Sequence, residues 1–300
     1  MAVTVAPDYL WIVGPGRLGL ALGWLLHQAG AVASLTYLGR RPAPPPHPLF
    51  AGASRPARYF PDPLSLVSSH PAPTGILLAV PDSAVEEVAA RLVEYELPPG
   101  IPVLHLSGTL ELAVLVPLER AGCSVGVLHP LAAVADPIEG AERLRGAWFG
   151  IEGEGAALAL AERIVRAAEG HALRLQPGTR PLYHAAAVFA SNYLVALLAV
   201  AEGLMTRAGV NEAEARAALT QLAAGALAGV AERGPAAALT GPIARGDAET
   251  VRLHLARLSE GERHLYSVLA REALSLARES REGRDDPALA RIEELLEEKP

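Results

Sequence analysis

The sequence predicts an α/β domain with a mostly parallel, doubly wound sheet, followed by an all-α domain. In the first half of the chain, short apolar runs rich in β-branched residues alternate with Ala- and Leu-rich stretches of helical periodicity. These strand-like runs stop after residue 176, and the later periodic stretches are helical. A length of 300 residues is also typical of two domains. We therefore divide the chain into residues 1–176 and 177–300.

The predicted elements follow hydrophobic periodicity and the turn-forming residues between them. We expect strands at residues 10–13, 34–38, 75–80, 102–106, 124–128, 148–151 and 172–175. The helices predicted between them are residues 18–29, 83–94, 111–121 and 156–168. The second domain is expected to contain helices at residues 180–208, 212–233, 248–258, 260–281 and 287–298.

Composition argues against several classes of partner. With 26 basic and 33 acidic residues the net charge is −7, whereas nucleic-acid binding depends on clustered Lys and Arg. Cys123 is the single cysteine, so an internal disulfide and a multi-cysteine metal site are ruled out, and no metal is expected. The first residues lack the basic and apolar regions of a secretory signal. We therefore expect a cytoplasmic protein.

A long uncharged run begins the predicted helical domain. Residues 181–201 contain no Asp, Glu, Lys or Arg, which is enough apolar length for a membrane span. Alanine is the commonest residue of the run, however, and the run also contains His184, Ser191 and Asn192. We favour a helix buried at the centre of its domain or in a dimer over a membrane helix. This run and the helices after it predict a homodimer.

A glycine motif lies between the first predicted strand and the first helix. Gly14, Gly16 and Gly19 form G-x-G-x-x-G, with Arg17 and Leu18 at the start of the helix. In a βαβ unit the first glycine allows a tight turn, the second lets the backbone approach a pyrophosphate, and the third lets the helix pack on its strand. The motif predicts a Rossmann dinucleotide-binding domain. The alternative is a purely structural glycine turn.

Two arginines follow the second predicted strand. An NAD-specific domain has an acidic residue about 20 residues beyond the glycines, where it binds the ribose of the adenosine. This chain has Arg40 and Arg41 there instead. Guanidinium groups form strong charge-assisted bonds with a 2′-phosphate, so we predict NADP as the cofactor. The alternative is a pair of solvated surface arginines.

Several further stretches carry a resemblance to a known family. They are ILLAVPDSAVEEV (residues 76–88), HLSGT (105–109), HPL (129–131), YHAAAVFASNYL (183–194) and LTGPIARGD (239–247). With these stretches the chain resembles Rossmann-like NADP oxidoreductases whose C-terminal part is the domain of unknown function 2520. That family is similar to the ketopantoate reductase, pyrroline-5-carboxylate reductase and 6-phosphogluconate dehydrogenase group. The resemblance implies a Rossmann domain followed by a helical substrate-binding and dimerisation domain.

The resemblance also implies cofactor contacts at two strand ends. Val80 and Pro81 should border the cofactor ribose, and Ser107 with Gly108 should line the nicotinamide. The carboxyl ends of parallel strands are where ligands bind in open α/β sheets. The alternative for each pair is turn chemistry alone.

The catalytic group must differ from the lysine of the related β-hydroxyacid enzymes. Those enzymes have a Lys one turn before an Asn on the first long helix of the second domain. If Asn192 matches that Asn, the Lys position is occupied by Val188, and Lys299 is the only lysine in the chain. The familiar lysine mechanism is therefore excluded.

His184 is the predicted proton donor, because its ordinary pKa of about 6.5 suits proton transfer near neutrality. Ser191 lies almost two α-helical turns further along the same face. Asn192 is expected to orient the substrate in a cleft between the domains. The alternative for His184 is a hydrogen-bonded core histidine, and His129 is the second candidate. We expect Arg180 and Arg245 to bind a substrate carboxylate or to form solvent-facing salt bridges.

Together these observations predict an NADP-dependent oxidoreductase that transfers hydride to a small ketone or imine bearing a carboxylate. By analogy with the family, ketopantoate is the first candidate substrate, and an imine like pyrroline-5-carboxylate is the alternative. Because the usual catalytic lysine is missing, a function of a different class is also consistent with the sequence: a non-catalytic NADP-binding sensor or scaffold.

Overall fold

The computed structural model describes residues 8–52, 55–61, 72–95, 97–281 and 286–297. Two compact units make up the chain, Met1–Ser191 and Asn192–Pro300. The units divide 15 residues later than the predicted domain boundary after residue 176, so the helix that begins at Arg180 starts in the first unit.

The first unit is built on one sheet, in the order β3-β2-β1-β4-β5-β6-β7-β8. Every neighbouring pair is parallel except β6 and β7, which are antiparallel. This confirms the predicted fold class and all seven predicted strands, and it adds β3 at one edge. The strands are β1 (Asp8–Val13), β2 (Val32–Leu38), β3 (Ala57–Phe60), β4 (Gly75–Leu78), β5 (Pro102–His105), β6 (Ser124–Pro130), β7 (Trp148–Gly153) and β8 (His171–Arg174).

Helices cover both faces of this sheet. Because side chains alternate along a strand, Leu10 and Ile12 of β1 join one hydrophobic cluster, while Trp11 and Val13 join another on the opposite face. The sheet is therefore doubly wound. Its helices are α1 (Arg17–Gln28), α2 (Asp82–Leu92), α3 (Val116–Arg120), α4 (Pro137–Leu144), α5 (Gly155–Ala167) and α6 (Arg180–Val188). Of these, α4 was not predicted.

The strand order reverses between β1 and its two neighbours. β2 and β3 lie on one side of β1, whereas β4, β5 and β6 lie on the other. Because these strands are all parallel, their carboxyl ends lie along one edge of the sheet, and α1 begins at that edge next to the reversal. In open α/β sheets, ligands bind at such a switch point.

The second unit is helical and has its own small core, which includes Val251, Leu274 and Ile292. Polar caps define several helix starts. Asn211 caps α8, Asp247 caps α11, and Ser259 with Glu262 forms a capping box at α12. The helices are α7 (Leu194–Arg207), α8 (Glu212–Arg233), α9 (Pro235–Ala238), α10 (Gly241–Arg245), α11 (Ala248–Leu255), α12 (Glu260–Ser280) and α13 (Pro287–Glu297). The short helices α9 and α10 were not predicted.

The long apolar helix differs from its prediction in two respects. A π-helical turn, Phe189–Tyr193, interrupts it between α6 and α7. In the described part of the chain this helix, Arg180–Arg207, alone has the length and apolar composition of a membrane span, and none of its most apolar part is buried. In a single chain the helix is therefore not buried at the centre of its domain, and that expectation was wrong. The reason is that α7 packs mainly against α8 and leaves its other faces exposed.

Candidate functional site

The glycine turn after β1 is closely packed at two of its three glycines. Gly14 has a φ of +104°, and a Cβ atom there would overlap the carbonyl oxygen of Ala79. At Gly19 a Cβ would overlap the carbonyl oxygen of Gly14 and lie 2.9 Å from the Cβ of Ala79. Only glycine therefore fits at the turn and at the point where α1 crosses β1.

Gly16 differs from its two neighbours because the space around it is open. The nearest atom to a Cβ built on Gly16 is the carbonyl oxygen of Ala79, at 4.0 Å. Gly16 is the exposed N-cap of α1 and offers no side-chain cap, and the first turn contains no acidic residue. The N–H groups at the start of a helix have no intrahelical partner and carry partial positive charge. The turn at Gly16, Arg17 and Leu18 can therefore hold a pyrophosphate.

The arginine turn, defined here as Gly39, Arg40 and Arg41, lies beside the glycine turn. A Cβ built on Gly39 would be 3.0 Å from the Cγ of Pro15. Both arginines are exposed, and neither side chain forms a hydrogen bond or ion pair within the described residues. Two guanidinium groups are thus available next to the proposed pyrophosphate position.

The end of β4 also reaches the glycine turn. The Cγ1 atom of Val80 would lie 3.1 Å from a Cβ on Gly14. Pro81 follows as the exposed N-cap of α2. The structure therefore brings Val80 and Pro81 to the sheet edge predicted for them, beside the first glycine.

Ser107 is buried and satisfied within its own loop after β5. Its Oγ accepts hydrogen bonds from the backbone N–H groups of Thr109 (3.1 Å) and Leu110 (3.0 Å). The hydroxyl therefore stabilises the turn, as the alternative interpretation of Ser107 predicted. Gly108, the next residue, holds the backbone close to two imidazoles. A Cβ there would overlap the ring of His184 and lie 2.9 Å from Nε2 of His129.

His129 and His184, with Tyr183, form a compact group over Gly108. The two imidazole centroids are 5.9 Å apart, with an interplanar angle of 70°. Nδ1 of His129 lies 2.9 Å from the Tyr183 hydroxyl oxygen. His184 is half-buried and has no hydrogen-bond partner in the described part of the chain. The structure thus joins the first and second candidate proton donors.

Burial and a nearby cation keep two of the histidines neutral. Desolvation, the guanidinium of Arg180 and His184 together lower the pKa of His129 to about 4. Desolvation is also the main cause that lowers the pKa of His105 to about 3, helped by Arg180 and His129. Neutral His129 can donate or accept a hydrogen bond, but it carries no charge near pH 7.

Arg180 is fully buried behind this group, contrary to the prediction of a carboxylate clamp or a solvent-facing salt bridge. Its guanidinium donates to the backbone carbonyl of Ser107, and its Nε donates to that of Leu110 at 2.7 Å. Its Nη1 atom lies 3.8 Å from Oε2 of Glu152, a buried residue of β7, and the two side chains form an ion pair. A fully enclosed guanidinium cannot bind substrate, so Arg180 positions the β5–α3 loop.

Two carboxylates lie near Arg180, buried Glu152 and half-buried Glu111. Desolvation raises the pKa of Glu152, and Arg180 opposes that rise. Glu111 accepts a hydrogen bond from the backbone N–H of Gly178 at 3.2 Å. Together with Arg180 they tie β7, the β5–α3 loop and the start of α6. Among the described residues no three His, Cys, Asp or Glu side chains are arranged to hold a metal ion.

The remaining candidates lie along the long helix. Ser191 and Asn192 are both exposed, Ser191 in the first unit and Asn192 in the second. The π-helical turn Phe189–Tyr193 contains both residues, so regular α-helical spacing does not hold all the way from His184 to Ser191. That Ser191 shares a face with His184 stays a prediction. Lys299 lies outside the described residues.

Sequence reasoning missed Tyr183, Glu152 and the interior role of Arg180. A weak signal was present for the tyrosine. Tyr183 directly precedes His184 within one of the stretches that carry the family resemblance, and its hydroxyl lies close over Gly150 of β7. Nothing in the local sequence marks Glu152 or Arg180 as buried, because both residue types are ordinarily exposed.

These features define a Rossmann-like α/β unit with a glycine turn and a histidine group at the carboxyl edge of its sheet. Residues 147–273 match the family model described as Domain of unknown function (DUF2520). The predicted resemblance to that family is confirmed over this segment. No curated protein matches the sequence.

Solved structures share the fold at low identity. TM1727 from Thermotoga maritima is 23% identical with a TM-score of 0.62, covering 91% of this chain and 98% of its own. BF3122 from Bacteroides fragilis, a proposed NADP oxidoreductase, is 21% identical with a TM-score of 0.65, covering 92% and 98%. Pyrroline carboxylate reductase from Plasmodium falciparum, solved with NADP bound, is 13% identical with a TM-score of 0.59, covering 95% and 98%. At these identities the likeness shows the fold alone.

The three glycines of the turn are expected to respond differently to substitution by alanine. Gly14→Ala should lower the free energy of unfolding by more than about 1 kcal/mol, since the new methyl group overlaps Ala79 at a positive φ. Gly16→Ala should leave it within about 0.5 kcal/mol of the parent. The same Gly16 variant should weaken NADPH binding at least about 10-fold, because the methyl group occupies the space into which a pyrophosphate must approach. Urea unfolding and calorimetric titration measure both quantities, and unchanged NADPH affinity in Gly16→Ala would contradict the assignment.

Removal of the Arg180 guanidinium should be costly. Arg180→Ala leaves Glu152 and two backbone carbonyls without their buried partner, so we expect a loss of about 3–5 kcal/mol in the free energy of unfolding. The matched control is Arg174→Ala, which removes an exposed arginine paired with Glu162 and should cost less than about 1 kcal/mol. Urea denaturation followed by circular dichroism measures both. Equal losses in the two variants would show that Arg180 has no special structural role.

Proposed function

We propose that the chain is an NADP-dependent oxidoreductase that transfers hydride to a small ketone or imine bearing a carboxylate. The observation that carries the proposal is the glycine turn. Gly14 and Gly19 are packed so closely that no side chain fits, whereas Gly16 opens the N-terminus of α1 to a ligand. That combination is the one a dinucleotide pyrophosphate requires. The NADP bound to the Plasmodium falciparum reductase of similar fold supports the same class of cofactor.

The donor set at the sheet edge fits NADP rather than NAD. Gly16, Arg17 and Leu18 would hold the pyrophosphate, and Arg40 with Arg41 would pair with the 2′-phosphate. Val80 and Pro81 would border the ribose, and the loop at Ser107 and Gly108 would line the nicotinamide. When bound, the nicotinamide supplies a hydride to the substrate carbon.

His184 is the residue that we propose to donate the proton. As the carbonyl or imine is reduced, negative charge develops on its oxygen or nitrogen, and a positioned acid stabilises that charge. Among the described residues His184 has no competing hydrogen bond, and it lies against Gly108. His129 is neutral at pH 7 and is held by Tyr183, so it can serve as a hydrogen-bond donor beside the same backbone. Ser191, further along the same helix, stays a candidate for substrate contact.

The substrate class is taken from the family resemblance. Ketopantoate is the first candidate, and a pyrroline-5-carboxylate-like imine is the alternative; the P. falciparum protein of similar fold is a pyrroline carboxylate reductase. Buried Arg180 cannot bind the substrate carboxylate, so another cation must do so. The assay is therefore a panel of 2-keto acids and cyclic imino acids with NADPH, read as loss of cofactor absorbance.

A non-catalytic NADP sensor or scaffold is the second candidate. It is favoured by the absence of a lysine anywhere before Lys299, which removes the usual proton donor of related enzymes. The same panel separates the two functions. Turnover of any member supports the reductase, whereas tight NADPH binding with no turnover across both substrate classes supports the sensor.

NADPH should bind more tightly than NADH. The double variant Arg40→Ala with Arg41→Ala should lose that preference, because each charge-assisted phosphate bond is worth about 1.5–3 kcal/mol. A double variant of two exposed arginines elsewhere in the first unit, Arg143→Ala with Arg166→Ala, controls for net charge. Titration calorimetry with both cofactors gives the ratio of the NADPH affinity to the NADH affinity for each protein. Equal affinities in the parent protein would remove the NADP assignment.

Loss of the proposed acid should slow turnover selectively. His184→Ala should lower kcat by about 10²- to 10⁴-fold with little change in NADPH affinity, the usual scale for general acid catalysis. His171→Ala, an exposed histidine of β8, is the matched control and should retain the parent rate. Steady-state kinetics on the best substrate of the panel tests this. Near-native turnover in His184→Ala would transfer the role to His129.

We further propose that a second copy of the chain covers the long helix, giving a homodimer in the cytoplasm. Large apolar side chains along it are strongly exposed, including Leu182 (77%), Phe189 (70%) and Val195 (68%). Such surface ordinarily marks an interface. Sedimentation of the detergent-free protein at micromolar concentration should give twice the monomer mass, and Val195→Glu should shift it toward the monomer. A monomeric parent protein, or one that requires detergent, contradicts the dimer.

A further inference from the structure

A tyrosine from the edge strand holds the backbone of the arginine turn. Tyr59 of β3 donates a hydrogen bond from its hydroxyl to the carbonyl oxygen of Arg41, at 2.6 Å. On the same strand, Phe60 accepts a hydrogen bond from the backbone N–H of Gly39 at 3.1 Å. The sheet pairing of β2 with β3 therefore continues past the end of β2, and the arginine turn is fixed at both of its ends.

Gly39 makes this arrangement possible through its lack of a side chain. A Cβ there would lie 2.6 Å from the Tyr59 hydroxyl oxygen and 3.0 Å from the Cγ of Pro15. The phenol of Tyr59 thus lies directly on the Gly39 backbone, and Pro15 of the glycine turn lies on the other side. Any larger residue at this position would separate the arginine turn from the glycine turn.

An aromatic series connects Tyr59 to the helix that bears the glycine motif. The Tyr37 hydroxyl donates to the carbonyl oxygen of Gly19 at 2.9 Å. The ring of Phe50 packs edge-on against Tyr37 (centroids 5.3 Å apart) and against Tyr59 (6.0 Å). Edge-on aromatic contacts of this kind are specific in geometry. The position of the Tyr59 hydroxyl is therefore set relative to α1.

We propose that Tyr59 is a positioning residue for recognition of a ribose 2′-phosphate, acting through the Arg41 carbonyl. The inference rests on the proposed function and deepens it by naming what holds the specificity loop. Arg40 and Arg41 form no side-chain ion pair within the described residues that would fix their direction. Their backbone is instead held by the Tyr59 hydroxyl, which reduces the entropy that the loop loses when a phosphate binds.

Tyr59→Phe tests the hydroxyl while keeping the ring on Gly39 and Phe50. The probes are adenosine 2′,5′-bisphosphate against AMP, and NADPH against NADH, titrated into the full-length protein. We expect affinity for both 2′-phosphorylated probes to fall about 3- to 10-fold, the effect of one neutral hydrogen bond, while AMP and NADH binding stay unchanged. The matched control is Tyr9→Phe, which alters an exposed tyrosine of β1 and should leave the affinity for all four probes unchanged. Circular dichroism establishes that each variant is folded.

A mutant cycle with the double variant Arg40→Ala and Arg41→Ala shows whether Tyr59 acts through the arginine turn. If it does, Tyr59→Phe has no further effect on bisphosphate binding once both arginines are alanine. If Tyr59→Phe weakens the binding of all four probes equally, the tyrosine is a general packing residue and the inference is overturned. A parent protein that prefers NADPH, with that preference intact in Tyr59→Phe, overturns the inference and leaves the proposed function standing. If neither dinucleotide binds the parent protein, both fail.

Discussion

The buried guanidinium of Arg180 is the constraint on which the candidate site depends. It holds two backbone carbonyls of the β5–α3 loop and pairs with Glu152 of β7. Because Arg180 is also the first residue of α6, these contacts fix where that helix starts. Tyr183 and His184, three and four residues later, are thereby placed over Gly108 and His129. Burying a charge costs several kcal/mol, so this geometry depends on every partner of the guanidinium being present.

The same cation shapes the chemistry at the sheet edge. Desolvation is the main cause that lowers the pKa values of His105 and His129 far below neutrality, and Arg180 adds to it. The sheet edge therefore has two unlike halves. Around α1 it is open and rich in N–H donors and guanidinium groups, which suits an anionic cofactor. Around Gly108 it contains the neutral imidazole of His129 and the side chain of His184, which has no hydrogen-bond partner in the described residues.

Much of the fold was predictable because the physics behind it is local. Continuous apolar runs bounded by turns predicted seven strands, since parallel strands are buried on both faces. β3 was missed because ARYF is short and lies at the edge, and α4 because PIEGAERL has few apolar residues. The glycine turn was predictable because its three glycines have a known spacing and purpose.

The interior of the site was not predictable, because burial of a polar residue is decided by tertiary contacts. Arg180 looked like a surface cation or a carboxylate clamp, and only the fold shows that it is enclosed. The π-helical turn Phe189–Tyr193 has no composition that distinguishes it from an α-helix, so this break in the regular spacing after His184 could not be predicted. Likewise, the exposure of the long helix reflects how few helices pack against it rather than its own sequence.

A crystal structure of the protein with NADPH tests the proposed reductase most directly. We expect a pyrophosphate on the N–H groups at Gly16, a 2′-phosphate against Arg40 and Arg41, and a nicotinamide beside Gly108. His184 should then lie on the nicotinamide side of the site, within reach of a substrate heteroatom. A dinucleotide bound elsewhere, or a nicotinamide directed away from Gly108, would contradict the proposed reductase.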